Sequence, residues 1–210
     1  MNNKIKPAYW RKAVKLLSSK DKIMSGLIVK HQTNNCLIRK YSSFRCFFNI
    51  ILGQQISIAS ANAIESKIVR KIKKITPTIF LETSLQTLRE CGLSSQKAKY
   101  LKGIATILLN QRMFISKLKE LDDQELIIEL SKIYGIGPWS AEMFLIFYLN
   151  RPNILPLQDI GLINSFCKNY NCKRDDFAEK IIAFKKIWDP YCTVATWYLW
   201  RDIDNDVVQY

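Results

Sequence analysis

The chain is poor in metal ligands. It has one histidine, His31, and six cysteines (Cys36, Cys46, Cys91, Cys167, Cys172 and Cys192), none in C-x-x-C spacing. A zinc site needs several such ligands close together, so no metal site is expected. The intervals between the last three cysteines do not match an iron–sulfur ligand set, and reduced, mostly buried thiols are the expectation for all six. Seven glycines and six prolines among 210 residues exclude collagen-like and low-complexity classes. No apolar run approaches the roughly 18 residues of a membrane helix, and "CFFNIIL" and "MFLIFYL" have the length of buried helix segments. The first residues, "MNNKIKPAYWRKAVKLL", carry no signal-peptide core. A cytoplasmic protein without membrane contact is the expectation; should the partner be DNA, it would be nucleoid-associated, or nuclear in a eukaryote.

Acid is also scarce. Eighteen Asp and Glu stand against 32 Lys and Arg, leaving a net charge of +14 and a pI near 9.5. A surplus of that size points to a polyanion, nucleic acid first. The plainer reading is a composition generally rich in Lys and Ile. Hydrophobic residues make up 48%, enough for a real core, and the length suits one large domain or two small lobes.

What is present is helical periodicity almost throughout. "SIASANAIESKIVRKIKK" places Ile58, Ala61, Ile64, Ile68 and Ile72 at three- and four-residue steps behind a candidate N-cap, Ser57. "SSQKAKYLKGIATILLN" repeats the pattern with Ala98, Leu101, Ala105 and Leu108. "DDQELIIELSKI" opens on Asp122 with Glu125 three later, a capping-box start, and turns Leu126, Leu130 and Ile133 to one face. Further helices are expected over about 159–169, 175–188 and 190–202, by the same spacing. "HQTNNCLIRKYSS" and "NRPNILPLQ" read as loops. The expected fold is all-α, a two-lobed helical bundle. Residues 43–158 would form a central lobe, and 1–42 with 159–210 a terminal one.

The stretch "YGIGPWSAEMFLIFYLNRPNILPLQD", Tyr134 to Asp159, carries the chemistry. A helix ends, "YGIG" turns, and Pro138 opens the next helix, where its missing N–H costs nothing. Gly135 and Gly137 permit positive φ and close approach of a partner. A helix N-terminus seats phosphate, so helix, G-x-G hairpin and helix make a sequence-neutral DNA-backbone anchor. A plain αα-hairpin is the alternative. Asp159 precedes "IGLINSF" and is either that helix's N-cap, the partner of a nearby Lys, or an acid kept for chemistry.

These residues resemble the helix-hairpin-helix DNA glycosylase superfamily, whose signature is an I-x-G-[IV]-G hairpin, a helix, a Pro-containing loop and an Asp. The detail is similar to its alkylation-repair branch, the 3-methyladenine DNA glycosylase II type in compact form. "ILGQQISIASA" at 51–61 resembles the branch's G-Q-x-x-S loop. "CGLSSQKAKYLKGIA" at 91–105 resembles its G-[LM]-S-x-x-K-x-x-Y-L segment, and "WDPYCTVATWYLWR" at 188–201 its W-x-P-[WY]-R-x-x-A-x-x-[YH]-[LI]-W ending. The likeness spans roughly 43–201, with the helix-hairpin-helix motif at about 122–149.

The resemblance implies a monofunctional glycosylase that cuts the N-glycosidic bond of alkylated purines in duplex DNA and leaves an abasic site. It implies a DNA-binding cleft between the lobes and a damaged base drawn out of the stack into a pocket. The signature acid falls on Asp159, which would stabilise an oxocarbenium-like transition state and help orient water. Strand-nicking relatives carry a Schiff-base Lys where this chain has Trp139, so no lyase activity is implied. Trp139, Met143, Tyr191 and Trp200 fall on base-pocket or aromatic positions of the family. An electron-poor alkylated base would stack on Trp139; core packing is the alternative. Trp197 and Trp200 share a helix face while Tyr198 points elsewhere, so some of this aromatic group must be core. Gly135, Gly137, Pro138 and Ser140 would hold the DNA backbone. Gln54, Gln55 and Ser57 would form the minor-groove loop, with Gln55 as the wedge or simply a polar loop residue. The run Lys67, Arg70, Lys71, Lys73 and Lys74 offers phosphate contacts, or a solvated helix face.

No cofactor is expected beyond a monovalent cation held by hairpin carbonyls. The expected partner is double-stranded DNA with damaged bases, met by a monomer. The chain departs from the family's pattern at Cys192, where Arg is usual, at Met143, where some members have Tyr, and at Gln158, where some relatives have an acid. Residues 1–42 are too few for the β-rich domain some bacterial members carry. Two other functions stay open: a non-catalytic lesion- or structure-binding module of the same fold, and a bifunctional glycosylase/AP lyase.

Overall fold

A computed structural model describes residues 7–31, 36–111 and 113–203. Among the described residues it forms thirteen helices and no strand longer than a single bridged residue. In chain order they are α1 (Trp10–Lys20), α2 (Lys22–Lys30), α3 (Ser43–Gly53), α4 (Ile58–Ile72), α5 (Pro77–Glu82), α6 (Leu85–Glu90), α7 (Ser95–Asn110), α8 (Phe114–Glu120), α9 (Asp123–Ser131), α10 (Pro138–Phe147), α11 (Ile160–Asn169), α12 (Phe177–Trp188) and α13 (Cys192–Ile203). Short polar side chains punctuate them. Asp21, Ser42, Ser57, Thr76, Ser84, Ser94, Asp122 and Asp159 each cap a helix by accepting a backbone N–H in its first turn. At Asp122 the reciprocal bond from Glu125 completes a capping box.

The chain gathers into two compact units. One is Tyr41–Phe144; the other takes the described residues up to Lys40 and those from Leu145 onward. The second boundary therefore falls inside α10, not at 158. The apolar "PWSAEMFLIF" has buried residues in both halves, and Phe144 stacks on Phe47 within the central unit at 4.1 Å between centroids. In the terminal unit Trp10 meets Trp197 edge-on at 5.1 Å. There Asp21, 6% exposed, accepts from Tyr170 Oη at 2.7 Å and Trp188 Nε1 at 2.9 Å. That long-range bonding fixes α1 and α2 against α12 and was invisible in the local pattern.

The anticipated helix faces hold in part. Ala98, Leu101, Ala105, Leu126 and Leu130 are buried, whereas Leu108 and Ile133 are half-buried. On α4 only Ile68 is fully buried and Ile58 is 37% exposed, so its apolar stripe is covered less than its period implies. Residues 150–158 are non-helical, as are the described residues 36–42; Ser43 already opens α3, and residues 32–35 lie outside the described chain.

Candidate active site

The corner that presents Asp159 is built from the loop before it. Thr193, at the start of α13, is fully buried; its Oγ1 donates to the Arg151 carbonyl at 2.7 Å and accepts from Ile154 N–H at 2.9 Å. Asn153 donates to Asp189 at 2.7 Å and accepts from Cys192 N–H at 3.3 Å. The loop is thus sewn to α13 before the chain turns at Pro156 and Asp159 N–H closes on the Pro156 carbonyl at 2.9 Å.

Asp159 is the N-cap of α11. Its Oδ1 accepts from Leu162 N–H at 2.7 Å and from Trp200 Nε1 at 2.8 Å. The Trp200 ring is stacked on Phe147, 5.7 Å between centroids and 9° between planes. Both donors are neutral N–H groups at short hydrogen-bond distances, which fixes the carboxylate's rotamer. A Cβ at Gly161 would come within 3.1 Å of Asp159 Oδ1 and 3.2 Å of Trp200 Cδ1, so a side chain there would press on the pair and require it to give by a few tenths of an ångström. Two residues on, Asp202 anchors the end of α13. Its carboxylate accepts from Lys168 Nζ and Asn169 Nδ2, each at 3.0 Å, and pairs with Lys30 and His31. Burial alone would raise its pKa, but Lys30, Asn169, Lys168 and His31 outweigh that and hold it well below the usual carboxylate range.

The hairpin between α9 and α10 lies in the central unit. Gly135 has φ +94°, and a Cβ there would strike the Tyr100 ring at 2.2 Å. Gly137 differs: its φ is not left-handed, and a Cβ would meet nothing within 4 Å. The expectation of positive φ at both glycines is corrected to Gly135 alone. Pro138 opens α10. Gln54, just after α3, donates through Nε2 to the Gly135 carbonyl at 3.2 Å and to Ser140 Oγ at 2.9 Å. Lys97 Nζ holds the same loop from beneath, donating to the carbonyls of Leu52 at 2.9 Å and Gln54 at 2.7 Å. Burial lowers the pKa of this lysine. The next residue, Gln55, is exposed and has φ +58°, a conformation that strains a non-glycine residue. Ser57 is exposed and caps α4.

Several expected site residues take other places. Ser140 is 2% exposed with its hydroxyl on Gln54, so both side chains brace the hairpin. Tyr191 precedes α13, stacks on Tyr9 at 6.0 Å, and sits at the opposite end of that helix from Trp200. It is not beside Asp159, because nine residues of helix are about 13 Å. Met143 is 1% exposed and belongs to the central unit's core; Trp139, in the same unit, is half-buried. Trp197 and Tyr198 are core. Cys192 is fully buried, and burial first, with Asp189 assisting and Lys185 opposing, pushes its thiol up to about 12. The basic run on and after α4 is exposed throughout. Sequence reasoning missed Gly161, Thr193, Lys97 and Asp202. Two of them left a local signal: Gly161, a glycine in the first turn of a helix behind the candidate acid, and Lys97, which occupies the Lys position of the quoted 91–105 segment.

Among the described residues no helix is long and apolar enough to cross a membrane, and no cluster of three or more metal-ligating side chains forms. Comparison with known proteins adds the lineage. The chain is 30% identical over 204 residues to the alkylbase DNA glycosidase-like protein mag2 of Schizosaccharomyces pombe, across 93% of this chain and 95% of that one. The solved S. pombe 3-methyladenine DNA glycosylase in complex with abasic DNA superposes with a TM-score of 0.71 at 28% identity, covering 90% of this chain and 95% of that one. A DNA-3-methyladenine glycosidase from Bacillus halodurans gives 0.74 at 27%, covering 94% and 93%. Residues 48–190 match the HhH-GPD superfamily of base excision DNA repair proteins, and the chain belongs to that family.

Proposed function

We propose that Asp159 is the carboxylate with which this chain cleaves a damaged nucleotide. The chain is a base-excision DNA glycosylase: it hydrolyses the bond between an alkylated purine and its sugar in duplex DNA and leaves an abasic site. The observation that carries Asp159's role is its Oδ1, held at 2.7 and 2.8 Å by two N–H donors that fix the orientation of the acid. As the purine departs with the electrons of the glycosidic bond, positive charge grows on the sugar. A fixed carboxylate stabilises that charge without reorganising at the moment of reaction. Water then bonds to the sugar carbon and loses a proton. Trp139 follows Pro138 where a strand-nicking enzyme has its Schiff-base lysine, which makes the chemistry monofunctional.

The binding parts follow from the same reading. Nothing internal to the chain crowds a side chain at Gly137, so its bareness serves an outside partner. A DNA backbone approaching the first turn of α10 fits that demand. Gln55, exposed on a loop pinned by Lys97, is the wedge that fills the gap left by the extruded nucleotide, and Trp139 supplies a face for the base. A monovalent cation would fit the hairpin: the carbonyls of Ile133, Gly135 and Gly137 each accept one internal hydrogen bond and keep a second lone pair. No step of the hydrolysis runs through it. The protein works as a monomer on chromosomal DNA, in the cytoplasm of a bacterium or the nucleus of a eukaryote.

The test is incubation with methylated duplex DNA, followed by chromatography of the free bases and borohydride treatment of the mixture. Free methylated purine, an abasic product and no trapped protein–DNA adduct are expected. A trapped adduct would make the chain a lyase. Tight binding without release would make it a lesion-binding module, with Asp159 reduced to the cap of α11.

A further inference from the structure

The end of α11 brings two cysteines together. Asn171 takes φ +46°, and Cys172 N–H bonds back to the Cys167 carbonyl at 3.0 Å. A left-handed residue followed by this six-to-one bond is the Schellman helix end, which sets the first and sixth side chains of the turn against each other. Here both are Cys. With standard backbone lengths that single bond confines the two Cα atoms to within about 7 Å, close to the range a disulfide spans. Both thiols also reach one acceptor: Cys172 Sγ lies 3.1 Å and Cys167 Sγ 3.9 Å from the Lys173 carbonyl.

The turn is held from outside. Lys180 Nζ donates to the carbonyls of Tyr170 at 2.7 Å and Asn171 at 3.3 Å, and the Tyr170 ring stacks on Phe166 at 4.4 Å. Cys167 and Cys172 are half-buried, whereas Cys36, Cys46, Cys91 and Cys192 are buried. Among the described residues no third metal-ligating side chain joins any such group, so the pair is suited to two-thiol chemistry and not to a zinc cage.

We propose that Cys167 and Cys172 form a dithiol–disulfide centre that closes by exchange with a small-molecule disulfide such as oxidised glutathione. One thiolate attacks the external disulfide and releases one glutathione as thiol, leaving a mixed disulfide. The neighbouring thiolate then displaces the second glutathione. Two protein thiols are oxidised, one external disulfide is reduced, and the two protons pass to the departing thiols. Burial raises the pKa of Cys167, with Cys172 adding to the rise and Arg174 and Lys180 opposing it, so exchange accelerates as pH rises. The centre lies at the opposite end of α11 from Asp159.

The test uses the whole reduced chain, incubated with oxidised glutathione and read by intact mass and peptide mapping. The wild type is expected to lose two hydrogens, with a linkage inside the segment holding both residues and the four buried cysteines unchanged. Cys172→Ser is expected to stop at one glutathione on Cys167. A stable glutathione adduct on the wild-type pair, or two thiols that stay free, overturns the proposal and leaves the pair as the apolar contact of an ordinary helix end.

Discussion

α10 and α11 both start at a turn, and the two starts are furnished in opposite ways. At α11 the chain fills its own helix terminus: Asp159 lays Oδ1 on Leu162 N–H, and Trp200 locks the same oxygen from the side. At α10 the residue before Pro138 is Gly137, which has no side chain to place there, and the space its Cβ would occupy is open. A helix N-terminus favours negative charge. One terminus receives that charge from within; at the other the space is open, which the proposed function assigns to a backbone phosphate. On the proposed function the first acts on the sugar and the second holds the DNA backbone, although both stretches read as a turn followed by a helix.

The comparison can be broken most forcefully within the hairpin. Gly135→Ala must accept a left-handed backbone and a Cβ inside the Tyr100 ring. It should lose about 3 kcal/mol in denaturant unfolding, from strain and overpacking together. A cost below about 1 kcal/mol would mean that the hairpin adapts. Asp202→Asn tests the anchor of α13. Because the folded carboxyl is depressed, its contribution is present above the unfolded value and fades as pH falls through the folded one. The wild type should be more stable by about 2 kcal/mol at neutral pH, and the difference should shrink once the pH falls below about 4. A constant difference across that range would contradict the assignment. Trp200→Phe keeps a ring against Phe147 but removes the donor to Asp159. Base release should slow about tenfold, the size of one hydrogen bond to a charged group, with DNA affinity unchanged. Gly137→Ala sharpens the contrast at its mildest. Stability should stay within about 0.5 kcal/mol of wild type, while affinity for duplex DNA falls about fivefold, close to 1 kcal/mol. Unaltered affinity would remove the hairpin from the DNA-binding surface.

Local rules made much of this legible. Ser57, the Asp122–Glu125 box and Pro138 each mark a helix start through groups a few residues apart, and each start is where the pattern puts it. Asp159 was visible as an acid before a helix, and its capping is a local matter too. What escaped depends on distant partners. Asp202 meets Lys30 from 172 residues away, Thr193 reaches Ile154 across 39, and Lys97 reaches Gln54 across 43. No window of sequence holds both members of such a pair. The aromatic tail shows the same limit. Tyr191, Trp197, Tyr198 and Trp200 look alike in sequence, and only packing sorts Trp200 to Asp159, Trp197 and Tyr198 to the core, and Tyr191 to Tyr9.

Asp159→Asn tests the central claim most directly, because asparagine caps a helix as well as aspartate does. It can still accept from Leu162 N–H and Trp200, so the substitution removes charge and little else. Single-turnover base release and DNA affinity would be measured together on methylated duplex DNA. The account predicts nearly unchanged affinity and release slowed by roughly 100-fold or more, the scale of losing a principal electrostatic stabiliser. Release at the wild-type rate would contradict it and leave Asp159 as the cap of α11.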